Sequence, residues 1–149
     1  GFIEPMTKRG RGKLVGIASV SGIRGLPGSE AYGASKSAVI TYNESLRVGL
    51  RKTGIKVQTI SPGFVRTPLT SANPYKMPFV LTPDEFAERA VKTIDSDASY
   101  RTIPWQMGLL AKAMRIAPNC LWDKIVANRK QKPRLADKQK AEAEAAQRK

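Results

Sequence analysis

The feature that most constrains the fold is a short unbroken run of apolar residues near the start of the chain. Residues 14–18 follow Lys13 and precede a stretch rich in serine and glycine, residues 19–28. A run of this length between such boundaries is typical of a strand that is buried on both faces of a parallel sheet. The chain must therefore supply neighbouring strands and helices that cover both faces.

The patterns that follow alternate between helix and strand. Apolar residues recur at three- and four-residue steps over residues 30–52, which predicts a helix that Gly54 ends. Residues 55–60 alternate and are β-branched, and residues 100–103 form a third candidate strand. Between them a capping box at Thr82 starts another helix. The predicted apolar faces are Ala34, Ala38, Val39, Tyr42, Leu46 and Leu50 in the first helix, and Phe86, Ala90, Val91 and Ile94 in the second. The order of elements predicts an α/β domain with parallel strands.

Two further stretches lack strand patterns. Residues 64–81 contain three prolines and little periodicity, which predicts a long loop, and loops of this length are often functional. Residues 106–116 and 121–128 each favour a helix. Residues 129–149 have Leu135 as their only large aliphatic side chain, so we expect an exposed helix or a disordered tail that is dispensable for the fold.

The residue types that are absent restrict the chemistry. The sequence has no histidine and one cysteine, Cys120, which excludes Ser-His-Asp catalysis, histidine-ligated metals, thiolate clusters and an intrachain disulfide. We therefore expect no metal site, and acid–base chemistry falls to Tyr, Lys, Asp or Glu. No run of about 18 apolar residues and no secretory signal is found, so a cytoplasmic location is expected.

The net charge of +14 indicates an anionic partner, a membrane surface or a solubilising tail. Nine basic and three acidic residues leave +6 on residues 124–149. Nucleic acid is not expected as a partner, because no interleaved aromatics or binding motif are present. The C-terminal apolar residues could form a weak membrane anchor together with the basic tail, or two helices packed on the body or on a partner subunit. These residues are Trp105, Met107, Leu109, Leu110, Met114, Ile116, Leu121, Trp122, Ile125 and Val126.

A tyrosine and a lysine stand together at the start of the first predicted helix. Tyr32 and Lys36 are four residues apart and so share one face. A neighbouring ammonium favours the phenolate and lowers a tyrosine pKa from about 10, which makes the side chain useful as an acid or base. The same spacing also arises by chance. Its context supports a site, because Ser19 ends the preceding strand 13 residues upstream and glycines between them allow the chain to fold back.

Two segments resemble those of short-chain dehydrogenases/reductases. Residues 14–36, LVGIASVSGIRGLPGSEAYGASK, are similar to the active-site segment of that family, in which a serine stands 13 residues before the tyrosine of Tyr-x-x-x-Lys. Residues 61–68, SPGFVRTP, resemble the Pro-Gly turn and threonine that close over the nicotinamide end of the cofactor. The resemblance covers roughly residues 5–105. It implies the C-terminal part of a Rossmann-like doubly wound parallel sheet, followed by C-terminal helices and a basic tail.

The resemblance also implies roles for individual residues. Ser19 would polarise the substrate oxygen, Tyr32 would donate or accept the proton, and Lys36 would lower the tyrosine pKa and bind the nicotinamide ribose. The residues implied to frame the nicotinamide are Pro62, Gly63, Val65 and Thr67. Candidates for an apolar substrate lid, each also suited to ordinary packing, are Phe64, Pro68, Leu69, Met77, Pro78, Phe79 and Val80. Ser21 has the wrong spacing to Tyr32, and a loop cap is the expected role of its side chain.

The implied reaction moves a hydride between a nicotinamide cofactor and an alcohol or ketone, and the implied complete protein is a homo-oligomer. No Gly-x-x-x-Gly-x-Gly pattern and no Asn-Asn-Ala-Gly segment precede Leu14. We therefore expect a partial catalytic domain over residues 1–128 and a tail over residues 129–149. The sequence cannot distinguish NAD from NADP, and an inactive fragment or a basic anion-binding protein is the alternative.

Overall fold

A computed structural model describes residues 1–71, 73 and 76–127. Its centre is a parallel three-stranded sheet of order β1-β2-β3, which confirms the predicted α/β class with parallel strands. The strands are β1 (Gly12–Ile17), β2 (Ile55–Pro62) and β3 (Tyr100–Ile103). The helices are α1 (Ile3–Lys8), α2 (Glu30–Gly49), α3 (Pro68–Ser71), α4 (Pro83–Asp95), α5 (Trp105–Ile116) and α6 (Asn119–Val126). A short 3₁₀ turn, Val20–Gly22, follows β1.

The burial predicted for β1 was wrong. β1 is only half-buried along its length, and Ile17 at its end is 45% exposed. The strand buried on consecutive positions is β2, at residues 57–61, where strict alternation was expected. The reason is position in the sheet: within the described residues β1 pairs with β2 alone, whereas β2 lies between two strands.

Helix α2 ends earlier than predicted and packs through a different face. It ends at Gly49, and turns carry the chain to Gly54, whose φ of 75° is left-handed. Its buried residues are Gly33 and Asn43. The Asn43 amide donates a hydrogen bond to Thr59 Oγ1 of β2 at 3.1 Å. Of the predicted apolar face, Val39, Leu46 and Leu50 are half-buried, whereas Ala34, Ala38 and Tyr42 are exposed.

The capping box that was predicted for α4 is present. Thr82 Oγ1 accepts from the Glu85 N–H, and Glu85 Oε2 accepts from the Thr82 N–H. The face of α4 differs from the prediction at one position, since Val91 is exposed. The core beneath α4 contains Ile60, Leu81, Ala90 and Ile103, with Val15, Phe86 and Ile94 packed against it.

The C-terminal segment forms two helices, as predicted, with bounds shifted by one or two residues. Helix α5 buries Met107 and Ala111, but Trp105 is exposed and Trp122 of α6 is half-buried, so these tryptophans are not core residues. Among the described residues, no helix is long and apolar enough to cross a membrane. The predicted tail at residues 129–149 lies outside the described residues.

Candidate active site

The candidate site lies where β1 and β2 end. Ile17 pairs with Ile60 in the parallel register, and the Ala18 N–H donates to the Ile60 carbonyl at 2.8 Å. Because parallel strands present their carboxyl ends at one edge, Ser19 after β1 stands level with Pro62 at the end of β2. The two segments that the sequence analysis singled out therefore meet at this edge of the sheet.

Ser19 is buried directly after β1. Its backbone is extended, and its Oγ accepts a hydrogen bond from the Ser21 N–H at 3.2 Å. The capping role expected of the Ser21 side chain is thus wrong, because Ser19 is the residue that precedes the 3₁₀ turn. Accepting this bond leaves the Ser19 hydroxyl proton available for another acceptor.

Tyr32 and Lys36 occupy the first two turns of α2, on one face as predicted. Lys36 Nζ lies 5.8 Å from the centre of the Tyr32 ring and donates to the Ile17 carbonyl at 3.1 Å. Tyr32 is 48% exposed. The structure therefore brings Lys36 to both Tyr32 and the end of β1, although no hydrogen bond joins Ser19 to Tyr32 within the described part of the chain.

A close approach between the 3₁₀ turn and α2 sets the spacing of these residues. A β-carbon at Gly22 would lie 2.7 Å from the carbonyl carbon of Lys36. Only glycine allows the backbone after Ser19 to approach the backbone of the lysine so closely. This confirms, for Gly22, the expectation that glycines let the connection fold back on the helix.

The Pro-Gly turn after β2 packs against α5. The Gly63 N–H donates to the Ile103 carbonyl at 2.8 Å, and a β-carbon at this position would lie 2.7 Å from Met107 Cγ. Val65 then pairs with Leu81 in an isolated bridge. The predicted loop 64–81 is therefore closed at its base by backbone pairing between its two ends.

Inside the loop, Thr67 and Thr70 are joined by hydrogen bonds. Thr67 N–H donates to Thr70 Oγ1 at 2.9 Å, and Thr70 Oγ1 donates to the Val65 carbonyl at 2.8 Å. Neither Thr70 nor the short helix α3 was predicted from the sequence. A signal was available, because Thr67-Pro68 repeats the Thr-Pro start that identified the α4 cap at Thr82.

The predicted lid residues differ in how exposed their side chains are. Phe79 is exposed and has a φ of 55°, a left-handed conformation that costs a non-glycine residue of the order of 1–3 kcal/mol. Met77 is half-buried, and its Sδ accepts from the Asn73 amide at 3.3 Å. Phe64 and Val80 are half-buried, whereas Pro68 and Pro78 are exposed. The side chain of Leu69 lies outside the described residues.

An arginine of the turn region holds the C-terminal helices, which the sequence did not predict. Arg24 Nη1 donates to the carbonyls of Met114, at 2.8 Å, and of Ala117, and its Nη2 donates to Asn119 Oδ1 at 2.8 Å. The guanidinium lies 5.1 Å from the centre of the Trp122 ring, whose Nε1 donates to the Gly25 carbonyl at 3.1 Å. We call these contacts the Arg24 clamp.

A separate groove lies beside the Arg24 clamp. It has a volume of about 670 Å³ and lies between the 3₁₀ turn, the start of α2 and α6, and it contains none of Ser19, Tyr32 and Lys36. Those three residues stand at the open sheet edge instead. Within the described residues, no group of three acidic or cysteine side chains is placed to hold a metal ion.

Comparison with known proteins places these residues in context. A family model described as short chain dehydrogenase matches residues 1–77. The chain is 42% identical over 121 residues to an uncharacterized oxidoreductase of Myxococcus xanthus, covering 81% of this chain and 48% of that protein. It is 41% identical over 68 residues to a cyclopentanol dehydrogenase of Comamonas testosteroni, covering 46% of this chain and 27% of that protein. The chain thus spans about half or less of the length of these curated relatives.

Solved structures share the fold. A short chain dehydrogenase from Burkholderia cenocepacia in complex with NADP superposes with a TM-score of 0.69 at 18% identity, covering 83% of this chain and 51% of that one. An actinorhodin polyketide ketoreductase with NADPH superposes with a TM-score of 0.57 at 26% identity, covering 69% of this chain and 49% of that one. The similarity to the Burkholderia structure concerns the fold alone.

Proposed function

This chain belongs to the short-chain dehydrogenase family, and we propose that it carries the catalytic residues of an oxidoreductase that acts on an alcohol or ketone with NAD or NADP. The observation that supports this most is the position of Lys36, which contacts both the Tyr32 ring and the Ile17 carbonyl at the edge where Ser19 lies. The alternative of a non-enzymatic basic protein is not favoured, because it leaves this arrangement without a use.

The proposed mechanism assigns one task to each residue. In the direction of reduction, the carbonyl carbon of the substrate would receive a hydride that a bound nicotinamide cofactor would supply. The Ser19 hydroxyl donates a hydrogen bond to the carbonyl oxygen and polarises it. Tyr32 transfers its phenolic proton to the same oxygen, and the Lys36 ammonium stabilises the phenolate that remains. The product alcohol has then gained one hydride and one proton, and oxidation reverses both transfers.

The residues present fit the nicotinamide end of the cofactor. An ammonium has three N–H donors, and Lys36 uses one of them on the Ile17 carbonyl, which leaves donors for ribose hydroxyls. Pro62, Gly63, Val65 and Thr67 would frame the nicotinamide from the end of β2. The structure of the actinorhodin polyketide ketoreductase, which is 26% identical to this chain, was solved with NADPH, and this supports the NAD(P) class without separating its two members.

The substrate would enter beside the loop 64–81, where Phe64, Leu69, Met77 and Phe79 are the proposed apolar contacts. The similarity to a cyclopentanol dehydrogenase supports a compact apolar alcohol or ketone as the substrate class. We also propose a homo-oligomer, since the exposed side chains of Ala34 and Ala38 on α2 offer a surface for a second subunit. A cytoplasmic location stays a proposal.

The deciding experiment measures oxidation of NADH and NADPH by the protein at its full natural length, with a panel of ketones. Tyr32→Phe deletes only the proton-bearing hydroxyl and should lower kcat by at least about a hundredfold. Tyr42→Phe is the matched control, because it removes an exposed hydroxyl from the same helix and should leave turnover unchanged. Undiminished turnover in Tyr32→Phe would refute the assignment.

A further inference from the structure

Helix α5 is apolar on two sides. Met107 and Ala111 face the body and are each 3% exposed. Trp105, Leu109 and Ile116 occupy the opposite stripe and are 64%, 58% and 82% exposed. Residues at these spacings lie above one another along a helix. A helix with two apolar sides is expected to be covered on both, and in the described structure only one side is covered.

Helix α6, which is separated from the end of α5 by two residues, also has a covered and an exposed apolar side. Trp122 and Val126 are half-buried against the turn region, whereas Leu121 and Ile125 are 49% and 60% exposed. We call the exposed apolar residues of the two helices, together with Lys112 and Arg115, the α5–α6 surface.

The charge around the α5–α6 surface is positive. Helix α5 contains Lys112 and Arg115 and no acidic residue, and α6 contains one acidic and one basic residue, Asp123 and Lys124. Both cations of α5 line a groove of about 860 Å³ between α2 and α5, which Arg47 and Arg101 also line. Among the described residues that line it, Glu44 is the only acidic one. The ion pairs formed within the described residues are Glu4–Lys8, Lys56–Asp97 and Glu88–Lys92, so none of the four groove cations is paired.

We propose that the α5–α6 surface binds the face of a lipid bilayer that contains anionic headgroups. The apolar stripe enters the boundary of the hydrocarbon, and the groove cations contact headgroup phosphates. Helix α5 has 12 residues and a length of about 18 Å, much shorter than the roughly 30 Å hydrocarbon core, so it lies in the plane of the membrane. An exposed tryptophan at the end of the stripe suits the interface, where its ring and its N–H are both accommodated.

Other occupants fit the surface less well. A second copy of the chain would bring the same unpaired cations face to face, which costs free energy. Nucleic acid would neutralise the cations but leave the apolar stripe in water. An anionic bilayer satisfies both parts of the surface at once. The proposal does not depend on the oxidoreductase activity, because none of these residues belongs to the catalytic set.

The test is sedimentation of the full-length protein with vesicles. Vesicles of phosphatidylcholine alone are compared with vesicles that contain about one quarter phosphatidylglycerol, in about 0.1 M and about 0.5 M NaCl. We expect binding to the anionic vesicles at low salt, with a loss of at least about tenfold in the partition coefficient at high salt or on neutral vesicles. Absence of binding to the anionic vesicles would overturn the proposal.

Two double variants separate the contributions. Lys112→Gln/Arg115→Gln should weaken binding to anionic vesicles by about tenfold or more. Leu109→Ser/Ile116→Ser should weaken it by a similar factor of about ten. The matched controls are Arg9→Gln/Arg11→Gln, which removes the same charge elsewhere, and Val48→Ser/Val91→Ser, which removes exposed apolar side chains from α2 and α4. In both controls the partition coefficient should fall by less than about twofold, compared with the fall of about tenfold in the two test variants.

Three results would contradict the proposal. Equal losses in the controls would show that the α5–α6 surface is not the binding site. Dimers that dissociate in Leu109→Ser/Ile116→Ser, measured by light scattering, together with unchanged vesicle binding would assign the stripe to self-association. Binding to a short DNA duplex that is lost only in Lys112→Gln/Arg115→Gln, without vesicle binding, would assign the groove to nucleic acid. Circular dichroism of each variant checks that it is folded. If a variant does not fold, the salt dependence of vesicle binding by the wild type still tests the proposal.

Discussion

At the scale of single residues, the geometry of the site depends on the missing side chain of Gly22. Gly22→Ala would place a β-carbon 2.7 Å from the Lys36 backbone, so the turn after Ser19 must move away from α2. We expect a loss of stability of about 1–3 kcal/mol and at least a tenfold lower kcat/KM, since small displacements of catalytic groups are costly.

Gly25→Ala is the control for this change. Nothing lies within 4 Å of a β-carbon at Gly25, although the residue belongs to the same connection. Urea unfolding and steady-state kinetics of both variants measure the difference. Equal kinetics for the two alanine variants would show that contact between the turn and α2 does not position the catalytic residues.

The sequence pointed to three candidate catalytic residues, but not to the arginine that holds the C-terminal helices. Ser19, Tyr32 and Lys36 could be selected because their spacing along one strand and one helix is local. Arg24 could not, since its hydrogen-bond partners are 90, 93 and 95 residues away and two of them are backbone carbonyls, which any residue type could supply. The roles of the site residues remain proposals that the kinetic variants test.

At the scale of elements, the start of α4 should weaken in acid. The Thr82 backbone N–H, and then its hydroxyl, donate to the Glu85 carboxylate and lower the pKa of Glu85 below its ordinary value of 4.5. A carboxyl whose pKa is lowered by folding adds stability above its unfolded pKa, and this is lost as the pH falls through the folded pKa.

The matching variant is Glu85→Gln. The difference in Tm between the wild type and Glu85→Gln should be present at pH about 7 and should shrink below pH of about 4, where the wild-type carboxyl is protonated. Thermal melts at both values test this. Asp84→Asn is the control, because Asp84 lies in the same first turn and the capping box is formed by Thr82 and Glu85. A difference that is independent of pH would contradict the account.

The Arg24 clamp joins two elements that are far apart in sequence. Arg24→Ala removes bonds from a charged donor to the end of α5 and to the start of α6, which should cost about 1.5–3 kcal/mol. Hydrogen exchange at residues 105–126 should become faster. Arg24→Lys should restore only part of the protection, because an ammonium cannot reproduce the planar set of donors. Unchanged exchange in Arg24→Ala would show that the clamp contributes nothing.

Element types were predicted well, and their faces less well. The three strands and the helices α2, α4, α5 and α6 follow from hydrophobic period and caps, which are local signals. The face of α2 was misplaced because its two buried residues are an asparagine and a glycine, which a search for large apolar residues does not detect. Asn43 contacts the sheet at Thr59, and Gly33 lies against the 3₁₀ turn at Ser21. β1 was expected to be buried because its apolar composition is typical of a central strand. Its burial also depends on which strands and helices lie beside it, and the composition of the strand does not give these.

At the scale of the whole molecule, the described sheet has three strands, and residues 1–13 contain no Gly-x-x-x-Gly-x-Gly pattern. We expect the 149-residue chain by itself to associate or to be poorly soluble, and to bind neither NADH nor NADPH measurably. Calorimetric titration of a monodisperse sample measures the affinity. Micromolar binding by a monomer would show that the residues from Ser19 to Thr67 suffice to hold the cofactor.

Strand β1 is half-buried and is an outer strand of the described three-stranded sheet. On the side away from β2, its backbone groups have no strand partner within the described residues, and its edge is available to a strand that another polypeptide supplies. The chain should therefore behave as one part of a split protein. Coexpression with a separate piece that carries the glycine-rich half of a relative should then give a complex in which a strand of that piece pairs with β1.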